Sequence, residues 1–229
     1  MEDSIARSIR RGETVPLVSE DNTPFDKIFI GCSWGAVRET SLLGLISYSK
    51  DIDLDLSCIM FNSKGHIVDH IYSPLYLENI LSQFGLPKGK SQSADKAVIH
   101  TGDDINGDRT PEGEDTDNEV ILFNLDSIDK EISSIFFFFN NCGKEDFEKI
   151  HYVRIHIVEG TPEDPGNEIL SYHIDGNSDC AGKKALIIGK LFRNKENRWC
   201  FNAIGDPVED QFLGYTVHRI ASDYAEARD

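Results

Sequence analysis

The amino-acid sequence predicts an all-β protein, and more specifically a two-sheet antiparallel β-sandwich with short peripheral helices. About nine short runs of apolar residues have the length and the β-branched or aromatic content of strands. Turns rich in glycine, proline and asparagine separate many of these runs, and only three short segments have helical spacing. Short strands joined by short turns, with few helices, are typical of a sandwich.

The whole chain, residues 1–229, is expected to form a single domain. Its length is typical of one all-β domain, and it contains no internal repeat and no linker that would divide it. Residues 1–9 are expected to form an N-terminal arm. Residues 76–96 are expected to be an insertion that begins with a short helix over residues 76–84.

The first half of the chain contains four segments with strand patterns. These segments cover residues 14–17, 27–34, 51–61 and 66–72. A hairpin turn over residues 63–65 joins the last two of them. Residues 38–50 have a less clear pattern, and the apolar run 42–46 within them fits either a strand or a short loop insertion.

The second half of the chain is predicted to add further strands in quick succession. They cover residues 119–125, 132–140, 151–158, 168–175, 184–193 and 198–204. Four consecutive phenylalanines at 136–139 predict that one of these strands is covered on both faces. A short acidic helix is predicted over residues 144–150, and the apolar stripe of residues 212–225 predicts a helix packed on a sheet edge.

The segment over residues 102–119 concentrates negative charge, with eight acidic side chains against a single base, Arg109. Two carboxylates about 4 Å apart repel each other by roughly 1 kcal/mol even in water, so such a segment either stays solvated or is drawn together by a cation. Its glycines permit tight turns, and Asn106 and Asn118 add neutral oxygen donors. Oxygen ligands on flexible turns favour calcium before magnesium. The residues by themselves leave the solvated loop and the calcium site both open.

A second acidic pattern lies at the start of the strand predicted over residues 51–61. Asp51, Asp53 and Asp55 alternate with apolar residues, so a strand places the three carboxylates on one face. Because aspartate is depleted in strands, three at this spacing require an explanation. One explanation is a solvent-facing edge that discourages partner strands. The other is a metal site, which the acidic segment further along the chain favours.

The net charge of −17 restricts the kinds of partner. Such a charge repels phosphate backbones, so nucleic-acid binding is disfavoured, and anionic membranes are disfavoured unless a bound cation bridges the two surfaces. The first eleven residues lack the apolar region of a signal peptide, and no apolar run approaches the ~20 residues of a membrane span. A cytoplasmic location is therefore expected.

The cysteines and histidines do not form a recognisable metal or disulfide pattern. Five scattered cysteines without C-x-x-C spacing indicate reduced, buried thiols. His66 and His70 would lie about 13 Å apart on one strand face, which is too far for them to share an ion. His151 and His156 are predicted to point to opposite faces of their strand and to form no site together.

Two acidic motifs and five flanking stretches carry a resemblance to a known family. The motifs are His-Thr-Gly-Asp-Asp at 100–104 and Asp-Thr-Asp-Asn-Glu-Val-Ile at 115–121, and the flanking stretches are residues 11–17, 31–34, 53–57, 186–193 and 199–205. In these stretches the chain resembles the TerD family, the tellurium-resistance and general-stress proteins. The resemblance covers roughly residues 10–225, and the two acidic motifs together are its most specific part.

The resemblance implies a calcium-binding β-sandwich whose acidic loops hold two ions at one end of the sheets. The residues at the matching positions are Asp53, Asp55, Asp103, Asp104, Asn106, Gly107 through its carbonyl, Asp115, Asp117, Asn118 and Glu119. The chain departs from the family pattern at residues 109–112, which are an insertion, at Gly35, where many relatives have aspartate, and at residues 71–74. An EF-hand does not explain the acidic segment, because a loop starting at Asp104 has its glycine at the fourth position rather than the sixth.

The function expected from this resemblance is that of a non-enzymatic calcium-binding protein in resistance to tellurite and other stresses. The resemblance also implies partner proteins in a stress-resistance complex, cytosolic or associated with a membrane. A metal-dependent phosphoester hydrolase that uses the same carboxylates is an alternative, although Arg109 is the only positive group in the acidic segment that could hold a substrate. A third hypothesis is a module that binds acidic lipid through bridging calcium.

Overall fold

The computed structural model describes residues 7–35, 37–40, 47–50, 52–101, 117–150, 152–175 and 178–225. The strands are β1 Arg7–Ile9, β2 Thr14–Pro16, β3 Lys27–Trp34, β4 Val37–Thr40, β5 Ser47–Lys50, β6 Leu54–Phe61, β7 Ile67–Ile71, β8 Val98–His100, β9 Glu119–Asn124, β10 Ser134–Asn141, β11 Tyr152–Thr161, β12 Asp164–Asp175, β13 Ala185–Arg193 and β14 Trp199–Val208. The α-helices are α1 Glu78–Leu81 and α2 Leu213–Arg219. Single turns of 3-10 helix cover Ser82–Phe84, Phe147–Lys149 and Ser178–Cys180, and a π-helical turn, Ile220–Tyr224, continues α2.

Two six-stranded sheets confirm the predicted β-sandwich. Sheet 1 has the strand order β1-β12-β11-β3-β9-β8, and sheet 2 has the order β2-β14-β13-β10-β6-β7. Neighbouring strands are antiparallel except β1 and β12, which run parallel. β4 and β5 pair as a separate two-stranded sheet, whereas the ambiguous run 42–46 lies outside the described residues.

Several element boundaries differ from those that the sequence predicts. β6 begins at Leu54 rather than at residue 51, and residues 7–9 of the expected N-terminal arm pair with β12 as β1. The helix predicted over residues 144–150 is wrong in extent, because only the turn Phe147–Lys149 is helical. Phe147 is buried there, and a single helical turn, held in place by this side chain, connects β10 to β11.

The main core lies between the two sheets and follows the alternation of the strands. From β3 the side chains of Ile28, Ile30, Cys32 and Trp34 point into it, and from β6 those of Leu54, Leu56, Cys58 and Met60 do so. All of these residues are at most 2% exposed. Each large apolar side chain buried in this way contributes roughly 1.5–3 kcal/mol, so the sandwich is held mainly by this layer.

A second apolar layer covers the outer face of sheet 2. The phenylalanine run confirms the prediction of burial on both faces: Phe137 and Phe139 belong to the main core, whereas Phe136 and Phe138 pack under α2. The expectation that the C-terminal helix packs on a sheet edge is wrong, because α2 lies across this outer face, where the phenylalanine rings need cover. In the described ranges, no helix is long and apolar enough to span a membrane.

Short crossing segments close both lateral edges of the sandwich. On one side β1 and β2, each three residues long, are the edge strands of the two sheets and are joined by a turn between them. On the other side the chain from Lys90 to Gln92 bridges Tyr72, just after β7, and Ile99 in β8. The segment 90–92 therefore ties the edge of sheet 2 to the edge of sheet 1.

One end of the sandwich holds the predicted site residues that the structure describes, and we call this end the tip. β6 and β9 begin at the tip, whereas β3, β8 and β10 end there. The acidic segment 102–116 connects β8 to β9, so both of its flanking residues, Thr101 and Asp117, belong to the tip. The fold therefore brings the chain on either side of the acidic segment to the same place as the start of β6.

Candidate functional site

Asp53 and Asp55 reach the tip from sheet 2. Both side chains are half-buried, and the neighbouring Leu54 is fully buried in the core, as the alternating pattern predicts. The Cys142 thiol lies 2.9 Å from Asp55 Oδ2 and donates a hydrogen bond to it, and the Cys142 amide donates to the Asp53 carbonyl at 3.0 Å. Burial, followed by the charge of Asp55, raises the pKa of Cys142, which favours the neutral thiol that donates this hydrogen bond.

Glu119 reaches the tip from sheet 1 and points between the sheets. Its side chain is 1% exposed. Glu119 Oε2 accepts a hydrogen bond from the Leu56 amide of β6 at 2.7 Å and lies 3.3 Å from His100 Nε2. The Glu119 carboxylate therefore links the start of β9 in sheet 1 to the start of β6 in sheet 2. This hydrogen bond fixes the spacing of the two sheets at the tip.

Asn118 and Asp117 occupy different environments from Glu119. Asn118 Oδ1 accepts a hydrogen bond from the Trp34 amide at 2.9 Å, so this amide oxygen caps the end of β3. The Asp117 carboxylate lies on the outer face of sheet 1, above Gly31. A Cβ atom added at Gly31 would come within 2.2 Å of Asp117 Oδ2, so the absence of a side chain at this position makes room for Asp117.

His156 is the main partner of Asp117, and this contact is not predicted by the sequence. His156 Nε2 lies 2.9 Å from the Asp117 carboxylate, and His156 Nδ1 lies 3.2 Å from Glu168, which also pairs with Arg154 at 2.9 Å. Burial lowers the pKa of His156, but the hydrogen bond and charge of Asp117, together with Glu168, outweigh it and raise this pKa above 6.5. The alternation of apolar and polar residues in β11 predicts only on which face of the sheet the His156 side chain lies. Its partners lie on other strands, and no local spacing reveals them.

The described part of the predicted site is therefore divided between the two sheets. Asp53 and Asp55 lie at the start of β6 in sheet 2, Glu119 points between the sheets, and Asp117 lies on the outer face of sheet 1 with His156. The remaining predicted ligands, Asp103, Asp104, Asn106, Gly107 and Asp115, lie outside the described residues. Within the ranges that the structure describes, no group of three or more His, Cys, Asp or Glu side chains could hold a metal ion, so a metal at the tip requires donors from residues 102–116.

A groove opens beside these carboxylates, between the β7 edge of sheet 2 and the β8 edge of sheet 1. We call it the tip groove, and its volume is about 400 Å³. Its lining includes Asp55, Leu56, Ile71, Leu75, Lys90 and Glu119. Apolar walls with a few convergent polar groups are typical of ligand sites.

A TerD domain model matches residues 5–219 of the chain. The chain belongs to the TerD family. Among its TerD relatives, tellurium resistance protein TerZ of Serratia marcescens is 28% identical over 221 residues, which cover 96% of this chain and 97% of that protein. Stress response protein SCP2 of Bacillus subtilis is 27% identical over 224 residues, covering 94% of this chain and 99% of the relative. The family resemblance inferred from the sequence is thereby confirmed.

Solved structures show that the TerD fold extends to more distant relatives. The crystal structure of a homologue of telluride resistance protein (TerD) from Streptomyces coelicolor A3(2) superposes with a TM-score of 0.56 at 14% identity. The superposition covers 89% of this chain and 99% of that chain. At this identity the comparison supports the sandwich architecture alone.

Proposed function

We propose that this TerD protein is a non-enzymatic calcium-binding module that acts in the response to tellurite and other stresses. The observation that carries the proposal is the geometry of the tip. Asp53 and Asp55 at the start of β6 and Glu119 at the start of β9 lie at this end of the sandwich, and the acidic segment 102–116 leaves from Thr101 and returns at Asp117. The names of the relatives, which refer to tellurium resistance and stress response, support the biological setting.

The donors at the tip fit a hard cation. The carboxylates of Asp53, Asp55 and Glu119 offer oxygen, which is the ligand that calcium prefers. Asp103, Asp104, Asn106, Gly107 and Asp115 would complete the oxygen set from the acidic segment, with Asp117, Asn118 and Glu119 at its end. Bound calcium would neutralise the mutual repulsion of these groups.

Calcium would act on this chain by ordering the tip and creating a surface for partners. Charged loops that repel each other when empty are drawn together when loaded, and the gain is about 2.7 kcal/mol when calcium is 100-fold above its dissociation constant. The partners would be other proteins of a stress-resistance complex, with calcium-dependent association with membranes as a second mode. A net charge of −17 argues against nucleic acid as a partner.

A calcium titration with a matched set of variants tests the proposal. Isothermal titration calorimetry and thermal melts should show calcium binding and a rise in Tm for the unmodified chain. Asp103→Asn and Asp55→Asn should each lose at least one ion or bind calcium about tenfold more weakly. Glu163→Gln, which removes one charge at the turn between β11 and β12 at the opposite end, is the control and should bind as the unmodified chain does.

Two outcomes would contradict the calcium module. Equal calcium binding by the Asp103 and Asp55 variants and by the control would place the ions elsewhere. Turnover of a phosphoester such as p-nitrophenyl phosphate that depends on magnesium or manganese would instead support the hydrolase alternative. Co-sedimentation with phosphatidylserine vesicles, with and without chelator, separates membrane association from partner-protein binding.

A further inference from the structure

Most of the exposed large apolar side chains in the described part of the chain lie toward the tip. Six such side chains are at least 37% exposed. Two of them begin β7 at the end of that strand far from the tip, namely Ile67 and Val68. The other four form what we call the apolar tip surface, which consists of Leu75, Leu77, Phe212 and Tyr215. Exposed apolar groups that collect in one region are typical of an interaction surface.

The two leucines belong to a projecting segment, residues 73–77, which we call the leucine loop. The loop follows β7, and its Leu75 lines the tip groove. Tyr76 anchors the loop, because its ring packs in the apolar layer on sheet 2 and its hydroxyl lies 3.7 Å from Sγ of Cys142, directly after β10. Leu75 and Leu77, on either side of this anchor, point outward and are 79% and 61% exposed. None of the five residues carries a charge, so the loop presents two leucines in a fixed position without a charged neighbour within it.

The first turns of α2 bring two aromatic rings to the same end of the molecule. Asn140, near the end of β10, donates a hydrogen bond from Nδ2 to Thr216 Oγ1 at 2.9 Å, which places this part of α2 over the tip end of sheet 2. Tyr215 contacts the ring of Phe84, which follows α1, with 4.9 Å between centroids. Phe212 and Tyr215 are each 52% exposed. Leucine, phenylalanine and tyrosine are the side chains that proteins place at the interface of a bilayer.

The charged side chains next to this surface are held in ion pairs. Glu78, which follows the leucine loop, pairs with Lys88 at 2.9 Å, and Asp210, which precedes α2, pairs with Arg219 at 2.8 Å. Each pair has no net charge, so neither repels an anionic surface. The net charge of −17, with carboxylates at the tip, does repel it, and only a bound cation would reverse this repulsion at close range.

We infer that the apolar tip surface binds a bilayer of anionic lipid when the tip holds calcium. The leucine loop would enter the interfacial layer of the bilayer, the rings of Phe212 and Tyr215 would lie at its border, and calcium would bridge the protein to the lipid head groups. Separate leucines on a projecting loop enter a fluid layer without a shaped counterpart, whereas a protein partner would need a matching pocket. The inference rests on the proposed calcium function and names the surface on which that function acts.

Co-sedimentation with vesicles of phosphatidylserine and phosphatidylcholine tests the inference with two matched double variants. The unmodified full chain should sediment with the vesicles in calcium and stay in solution with chelator. The Leu75→Ala/Leu77→Ala variant should partition at least about tenfold more weakly because it loses the apolar groups that enter the bilayer. The Ile67→Ala/Val68→Ala variant removes exposed apolar groups at the far end of β7 and should partition as the unmodified chain does. Equal partitioning of the two variants would overturn the inference.

A tryptophan placed in the leucine loop reports entry into the bilayer directly. The two native tryptophans, Trp34 and Trp199, are 0% and 6% exposed, so the indole of Leu75→Trp is the one that senses the lipid. Its emission should shift to shorter wavelength, and brominated lipid should quench it, only when calcium and vesicles are both present. Sedimentation without any shift or quenching would mean that calcium bridges charge alone, and it would overturn the role of the loop.

Calorimetric titration with calcium separates failure of the inference from failure of the calcium function. The Leu75→Ala/Leu77→Ala variant should bind calcium as the unmodified chain does, because neither leucine offers a ligand oxygen from its side chain. Calcium binding by the unmodified chain without sedimentation on vesicles would overturn the inference and leave the calcium function standing, with a protein as the partner. Absence of calcium binding would overturn both.

Discussion

Gly31 shows how a single missing side chain can position a charged group. An added Cβ atom would lie 2.2 Å from Asp117 Oδ2 and 2.3 Å from His156 Nε2. Because both of these atoms are at the ends of side chains, Gly31→Ala should push Asp117 and His156 apart rather than unfold the sheet. We expect a loss of about 1–2 kcal/mol of stability, which is the value of a hydrogen bond with charged partners in a half-exposed site.

Urea unfolding of Gly31→Ala measures this cost, and a double-mutant cycle identifies its origin. In the His156→Ala background one of the two crowded side chains is absent and Asp117 has no His156 hydrogen bond to lose, so Gly31→Ala should cost clearly less than it does alone. NMR titration of His156 gives a second readout, since separation from Asp117 should lower the His156 pKa. Additive costs with an unchanged His156 pKa would show that the crowding at Gly31 has another origin.

His70 gives the stability of the protein a defined dependence on pH. Its ring stacks on Tyr72 with centroids 4.5 Å apart, and Nε2 donates to the Lys88 carbonyl at 2.9 Å. Burial, assisted by the charge of Lys90, lowers the pKa of His70 below 6.5. The unfolded chain therefore takes up a proton at His70 before the folded protein does, and the free energy of unfolding falls as pH drops below 6.5.

Chemical denaturation between about pH 7.5 and about pH 5 tests this linkage. The His70→Gln variant retains a donor for Lys88 but cannot titrate, so its stability should fall less over this range than that of the unmodified chain. His66→Gln replaces an exposed histidine four residues earlier and serves as the control. An identical loss of stability in the His70→Gln variant and the unmodified chain would show that His70 does not contribute.

At the scale of elements, α2 and the π-helical turn that continues it cover the outer face of sheet 2, and their buried side chains stabilise the fold. Ile220, which is fully buried, packs with Phe136 and Phe138 on the outer face of sheet 2. We expect Ile220→Ala to cost about 2–5 kcal/mol because it leaves a cavity in this layer. Tyr215→Ala, on the same helix but 52% exposed, should cost less than about 1 kcal/mol.

Urea-induced unfolding, followed by circular dichroism, provides the comparison for α2. Both variants should keep the m-value of the unmodified chain, so that the shift in midpoint reports stability alone. Similar small costs for the two variants would mean that α2 frays from the sheet in solution. A large cost for Tyr215→Ala would mean that the edge contact of its ring with Phe84, at 4.9 Å between centroids, stabilises the fold more than its exposure indicates.

The elements that depend on local pattern could be predicted from the sequence, and those that depend on distant partners could not. The phenylalanine run at 136–139 revealed burial on both faces because a continuous apolar run is a local signal. The position of α2 depends on which face of the sandwich has exposed apolar side chains. The spacing of apolar residues within the helix does not contain that information. The same limit applied to the site: Asp117 and Glu119 differ by two positions, yet they lie on opposite faces because the strand begins only at Glu119.

At the scale of the whole molecule, a net charge of −17 should make stability depend on salt. Repulsion among the acidic groups is screened as the Debye length falls from about 30 Å at 0.01 M to about 3 Å at 1 M. In chelator, Tm should therefore rise with ionic strength, by about 2–4 °C for each kcal/mol of repulsion relieved. Thermal melts in sodium chloride, repeated in potassium chloride, check this, because screening predicts equal effects of the two salts. A Tm that does not change with salt would mean that the charges are already compensated within the fold.

The closure of both lateral edges has a consequence for the behaviour of the protein at high concentration. Strand-to-strand addition between copies needs a long, unpaired strand at the border of a sheet. The border strands β1, β2 and β8 are three residues long, and the chain from Lys90 to Gln92 occupies the border where β7 and β8 face each other. A protein so rich in β-structure should thus resist growth into cross-β filaments, and release of the 90–92 crossing is the step that would make such polymerisation accessible.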